Sequence, residues 1–158
     1  MKVIALCGKL CSGKTTYANS LKESLHAVIL SVDAFMLSIF GSDAGADHDR
    51  YVEGLTKALY ATATDIACCG TPVILDTGLW TLASRVSFRT YFASRGVPCE
   101  IHYLSVPDKT WEERIAKRNA EVKAGRSDAY FVDEGLLSKF REAFEVPAPD
   151  EVDCILTK

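Results

Sequence analysis

The sequence predicts an α/β fold in which a parallel sheet is covered on both faces by helices. Two observations carry this expectation. Five short apolar runs are separated by longer stretches with helical periodicity, the alternation that builds parallel sheets. The first of those runs also ends at a glycine that opens a loop of the G-x-x-x-x-G-K-[ST] type, a motif that belongs between a strand and a helix.

Taken in order, residues 2–7 (KVIALC), 27–31 (AVILS), 72–76 (PVILD), 99–106 (CEIHYLSV) and 153–157 (DCILT) read as buried strands. The stretch GKTTYANSLKESL reads as the helix after the loop. Tyr51, Leu55, Leu59, Thr62 and Ile66 recur at helical spacing, as do Leu136, Phe140 and Phe144. Segments 41–50 (GSDAGADHDR) and 123–129 (KAGRSDA) are polar, contain glycine and lack periodicity. Each is either a lid over a site or a plain surface connection.

With 158 residues the chain suits one domain over 1–158, within the roughly 100–200 residues usual for a domain. Hydrophobic residues make up 48% of it, enough for a core without metal or disulfide staples. The net charge of −3 counts against non-specific nucleic-acid binding, which depends on Lys and Arg neutralising phosphates. The six cysteines (Cys7, Cys11, Cys68, Cys69, Cys99 and Cys154) form no C-x-x-C pair and no zinc-like spacing with histidine. His48 has no second histidine nearby, and Trp80 and Trp111 read as packing residues. No apolar run is long enough to span a bilayer. A soluble, cytoplasmic protein in a reducing compartment is the expectation.

The loop Gly8-Lys9-Leu10-Cys11-Ser12-Gly13-Lys14-Thr15 carries the chemistry. Glycines at Gly8 and Gly13 permit torsions that turn backbone N–H groups toward phosphate oxygens. Lys14 reaches the β- and γ-phosphates, and the Thr15 hydroxyl suits Mg²⁺. Cys11, Ser12 and Thr16 complete the expected nucleotide contacts, with the following helix adding the positive end of its dipole. A chance match in a chain this long is on the order of one in a few hundred. Cys11 inside the loop reads as inert, because Cys7, four residues before it, ends a buried strand.

On that loop, the strand-end aspartates in VILSVDAF and VILDTG, the arginine-bearing WEERIAKRN and the late FREAFEVPAPDE, the chain resembles the small P-loop kinases of the adenylate-kinase-like superfamily. Within it, the likeness is to a group of predicted kinases related to zeta toxins, chloramphenicol phosphotransferases and phage polynucleotide 5′-kinases. The resemblance implies a three-layer fold with a five-stranded parallel sheet in the order 2-3-1-4-5 and a closing lid. It also implies ATP-Mg²⁺ as donor and a hydroxyl as acceptor. The sequence ends at the fifth apolar run, so elements that often wall the adenine beyond that strand are expected to be absent or supplied differently.

Asp33 follows the second strand, where the family places its general base; an N-cap is the bland alternative. Asp76 ends the third apolar run and reads as a metal or substrate ligand with Thr15, or as the start of a turn. Arg114 and Arg118, four apart on one helix face, and Arg126 beyond them are candidates to neutralise charge in transfer, with Arg118 and Arg126 favoured. Arg85 and Arg89 follow the third strand with the same spacing and are assigned to an anionic acceptor or to solvent. Many relatives carry an arginine three residues after the base aspartate, where this chain has Met36. That departure, with the acidic balance, disfavours a polynucleotide acceptor.

The leading expectation is an ATP-dependent kinase acting on a small-molecule hydroxyl. A nucleic-acid or nucleotide 5′-hydroxyl kinase is the second reading. A nucleotide-dependent switch with slow hydrolysis is the third, and the sequence lacks an N-K-x-D guanine-reading motif.

Overall fold

A computed structural model describes residues 1–41, 45–126 and 131–157. Its five strands are β1 (Val3–Cys7), β2 (Val28–Ser31), β3 (Val73–Gly78), β4 (Cys99–Ser105) and β5 (Cys154–Thr157). They form one parallel sheet in the order β2-β3-β1-β4-β5. This is the expected order, and each strand lies within two residues of its apolar run at either end.

The helices are α1 (Lys14–Leu25), α2 (Val32–Phe40), α3 (His48–Cys68), α4 (Leu82–Ala93), α5 (Asp108–Lys123) and α6 (Glu134–Ala143). Strand alternation sorts the core into two faces. Ile4, Leu6 and Ile74 pack with Ala18 of α1 on one side. Val3, Ala5, Cys7, Leu75 and Ile101 pack on the other with Tyr60, Phe88 and Phe92 of α3 and α4. A third cluster, centred on Trp111, Ile115 and Val132, packs against Leu10 and Cys11 and ties α5 to the phosphate loop.

One local reading is revised. Segment 41–50 contains a 3₁₀ turn at Gly45–Asp47, and α3 already starts at His48. Its first turn is exposed and polar, so no apolar period marked it in the sequence. Residues 42–44 and 127–130, parts of the two segments read as lids, lie outside the described residues.

Arg85 and Arg89 do not face an acceptor, and this corrects the expectation. Arg85 is buried; it pairs with Glu151 at 2.5 Å and donates to the Leu79 and Glu145 carbonyls, each at 3.1 Å. Arg89 donates to the Glu151 carbonyl at 3.0 Å and to Asp153 at 2.8 Å. Both fasten the segment leading into β5 onto α4, with acidic partners more than sixty positions away in the chain. Arg85→Ala leaves the Glu145 carbonyl without its donor, at about 1–3 kcal/mol, and takes the guanidinium from Glu151, while Leu79 keeps the Cys7 thiol. It is expected to lower the thermal midpoint by roughly 5–10 °C without changing nucleotide affinity, as calorimetry and a binding titration would show.

Candidate functional site

The phosphate loop leaves β1 at Gly8, whose φ is +156°. A Cβ there would lie 2.6 Å from Ser12 Oγ and 3.1 Å from the Leu104 carbonyl, so only glycine fits. Gly13 (φ +96°) caps α1, and Cys11 takes a left-handed φ of +58°. Such torsions make the N–H nests that hold anions, and a non-glycine residue adopts them under strain.

Helix α5 braces this loop from outside. The Trp111 indole N–H donates to the Leu10 carbonyl at 2.7 Å. Arg114 Nη1 donates to the carbonyls of Cys11 and Ser12 at 3.4 and 3.3 Å. Lys9 pairs with Asp108 at 2.9 Å and lies over the Trp111 ring. Trp111 thus packs, as its sequence suggested, and also holds the loop. The spacing 111, 114, 118 puts it on the arginine face of the helix, a signal that was present in the sequence.

A cavity of about 440 Å³ opens inside the loop. Cys11, Ser12, Gly13, Lys14, Thr15 and Thr16 of the loop line it, together with Asp33, Asp76, Arg114 and Arg118. The Gly8 carbonyl accepts from Lys14. Arg126 is exposed just past the end of α5 and is not on the cavity wall.

Lys14 Nζ donates to the Gly8 and Lys9 carbonyls at 2.9 and 2.8 Å. Burial pushes its ammonium pKa down, while Asp76, then Asp33, push it back up. Burial also raises the Asp76 pKa; Lys14 opposes this, the Asp33 charge adds to it, and a hydrogen bond from Thr15 opposes it. Asp33 is exposed in the first turn of α2. It is not the cap, because the Ser31 hydroxyl accepts from the Ala34 N–H at 3.3 Å. Cys7 is buried with its thiol donating to the Leu79 carbonyl, and burial pushes its pKa up to about 11. It is therefore a neutral, unreactive neighbour.

One feature the sequence did not signal is a β-bulge. The β1–β3 register passes from Leu6↔Asp76 to Cys7↔Gly78, leaving Thr77 as the additional residue. Bulges re-aim side chains beside active sites, and here the residue before the bulge is Asp76.

The donor set fits a nucleotide polyphosphate. Ser12 Oγ and Arg118 Nε are buried without hydrogen-bond partners, and three cations face the same space. For a hard cation, the Thr15 hydroxyl and the Asp76 and Asp33 carboxylates are oxygen donors of the right kind. Among the described residues no group of three His, Cys, Asp or Glu side chains is placed to hold a metal, so phosphate or water oxygens would have to complete its shell.

A family model described as an AAA domain matches residues 3–147. The chain belongs to this AAA-domain family. It has a kinase-like P-loop fold with structural neighbours named as kinases. One is a putative kinase from Chloroflexus aurantiacus J-10-fl, 21% identical, covering 99% of this chain and 86% of that one at a TM-score of 0.75. A sugar kinase from Janibacter sp. HTCC2649 is 20% identical over 99% and 85% of the two chains, with a TM-score of 0.68. The Mycobacterium tuberculosis APS kinase CysC, solved with AMPPNP and APS, is 20% identical over 99% and 87%, with a TM-score of 0.69. No curated protein matches the chain. No helix among the described residues of this AAA-domain protein is long and apolar enough to cross a membrane.

The raised pKa of Asp76 has a consequence for stability. The folded chain holds that proton more tightly than the unfolded chain does. The resulting stabilisation is present below the unfolded pKa and is lost as pH rises through the folded one. At pH 7 the ionised carboxylate therefore weakens the fold. Asp76→Asn is expected to raise the melting midpoint at pH 7 by a few degrees, with the difference shrinking once both states are protonated in acid. An unchanged or lowered midpoint at pH 7 would contradict this.

Proposed function

We propose that this protein transfers the γ-phosphate of ATP-Mg²⁺ to the hydroxyl of a small molecule. The observation that carries the reading is the convergence of Lys14, Thr15, Asp33 and Asp76 on one cavity at the carboxyl end of the sheet, where open α/β folds bind their ligands. The kinases of similar fold, named for sugar and APS substrates, support a small-molecule acceptor.

Bound ATP-Mg²⁺ would supply the transferable phosphoryl group. Lys14 would exchange its two loop carbonyls for phosphate oxygens, and Ser12 Oγ would gain a partner. Thr15 and Asp76 offer oxygen ligands to the cation, directly or through water. Asp33 accepts the proton of the attacking hydroxyl at its carboxylate. Arg114 and Arg118 offset charge that builds on the transferred group, an electrostatic role that grows in a water-poor site. Arg126, beyond the end of α5 and off the cavity lining, takes no part in this reading.

The test is transfer of labelled γ-phosphate into a cell extract split into small-molecule and nucleic-acid fractions, with Asp33→Asn alongside. Label in a small molecule, lost in the variant, is the expected result. Label on nucleic-acid ends would establish the 5′-hydroxyl reading instead, and free phosphate alone would leave a hydrolysing switch.

A further inference from the structure

A second cavity, of about 600 Å³, lies between α2 and α3. Its volume falls within the roughly 300–1,000 Å³ of small-molecule sites. It starts one helical turn from the proposed base. Asp33, Met36 and Phe40 fall at i, i+3 and i+7 on α2, so they share one face; the first borders the phosphate cavity and the other two line this one.

Its walls are apolar. Met36, Ile39, Phe40 and Leu55 supply them, and Tyr51 stacks on Phe40 at 4.5 Å between ring centroids and 16° between planes. The polar side chains on the lining are Tyr51 and Arg50. Arg50 makes no ion pair among the described residues. Its guanidinium is thus not engaged by Asp47, Asp49 or Glu53 within ion-pair distance, and it borders an aromatic and aliphatic surface.

We propose that the acceptor is a hydroxyl compound with an apolar, preferably aromatic, body and one anionic group, the body lying along Met36, Phe40 and Tyr51 and the anion meeting Arg50. This rests on the kinase reading above and narrows it. A polyol is the wrong ligand for these walls. Each of its hydroxyls stripped of water without a new partner costs about 1–3 kcal/mol, and two polar side chains cannot satisfy a whole ring of them. An apolar body gains from the same burial.

The test uses binding alone, so it is separable from catalysis. The chain has two methionines, Met1 and Met36. Methyl-¹³C labelling of methionine therefore gives one reporter inside the cavity and one at the exposed amino terminus. Two singly charged hydroxy acids are titrated, 3-phenyllactate and gluconate. Phenyllactate is expected to shift the Met36 methyl saturably, with at least about tenfold higher affinity than gluconate, while Met1 stays still. Arg50→Ala, an exposed substitution, should weaken phenyllactate about tenfold, the equivalent of losing one charged hydrogen bond. A circular dichroism spectrum and thermal midpoint matching the parent's report that the variant is folded. Equal or tighter gluconate binding, no Met36 response to phenyllactate, or undiminished binding by Arg50→Ala would each overturn the proposal. Any of these would leave the phosphate-transfer reading standing, and failure of phosphate transfer would leave the Met36 response intact.

Discussion

Asp33→Asn should lower the turnover number about 10²–10⁴-fold, the range of a lost general base, and leave the dissociation constant for ATP nearly unchanged. The split follows from position. Asp33 is exposed on the first turn of α2 and makes no hydrogen bond to the phosphate loop among the described residues. Its carboxylate instead acts on Lys14 and Asp76 as a neighbouring charge. The amide keeps the volume and removes the proton acceptor. Because the negative charge also goes, the burial-raised pKa of Asp76 should relax downward, so the acid limb of any pH profile should move to lower pH. Single-turnover kinetics beside a nucleotide titration would measure both parts. Equal losses in turnover and affinity would sink the base assignment and make Asp33 a nucleotide-positioning group.

Lys14→Met should have an effect of similar size on a different quantity. The ammonium lies between the loop carbonyls of Gly8 and Lys9 and the carboxylates of Asp76 and Asp33. Two charge-assisted hydrogen bonds to phosphate, each about 1.5–3 kcal/mol, correspond to a loss of roughly 10²–10⁴-fold in nucleotide affinity. Methionine keeps most of the apolar stem, so the loss belongs to the charge and not to packing. It should appear in isothermal titration before any transfer is measured. Affinity within tenfold of the parent would mean that the cavity inside the loop is not where phosphate binds.

Much of the fold was legible in the sequence because buried parallel strands leave continuous apolar runs, as at residues 72–76 and 99–106. The phosphate loop was legible because its glycines answer local constraints: a Cβ at Gly8 has nowhere to go. Asp33 and Asp76, each at the close of an apolar run in the sequence, and the pair Arg114 and Arg118 could be singled out by spacing, and all four border one cavity. The rest needed three dimensions. Arg85 and Arg89 have the same i, i+4 spacing as the cavity arginines. What separates them is Glu151 and Asp153, acids brought to α4 only by the chain's return toward β5. The bulge at Thr77 is a register event between two strands and leaves no mark in one of them. The start of α3 at His48 was hidden because a solvated first turn shows no apolar period.

The brace of Trp111 and Arg114 on the loop bears on the speed of ligand capture. The carbonyls of Leu10, Cys11 and Ser12 are already pinned to α5. An arriving polyphosphate therefore does not wait for a rare loop shape to be sampled. What must move is one side chain, Lys14, leaving two carbonyls. Encounter should then be limited by diffusion and by the field of the three surrounding cations, so the association rate should fall as ionic strength rises.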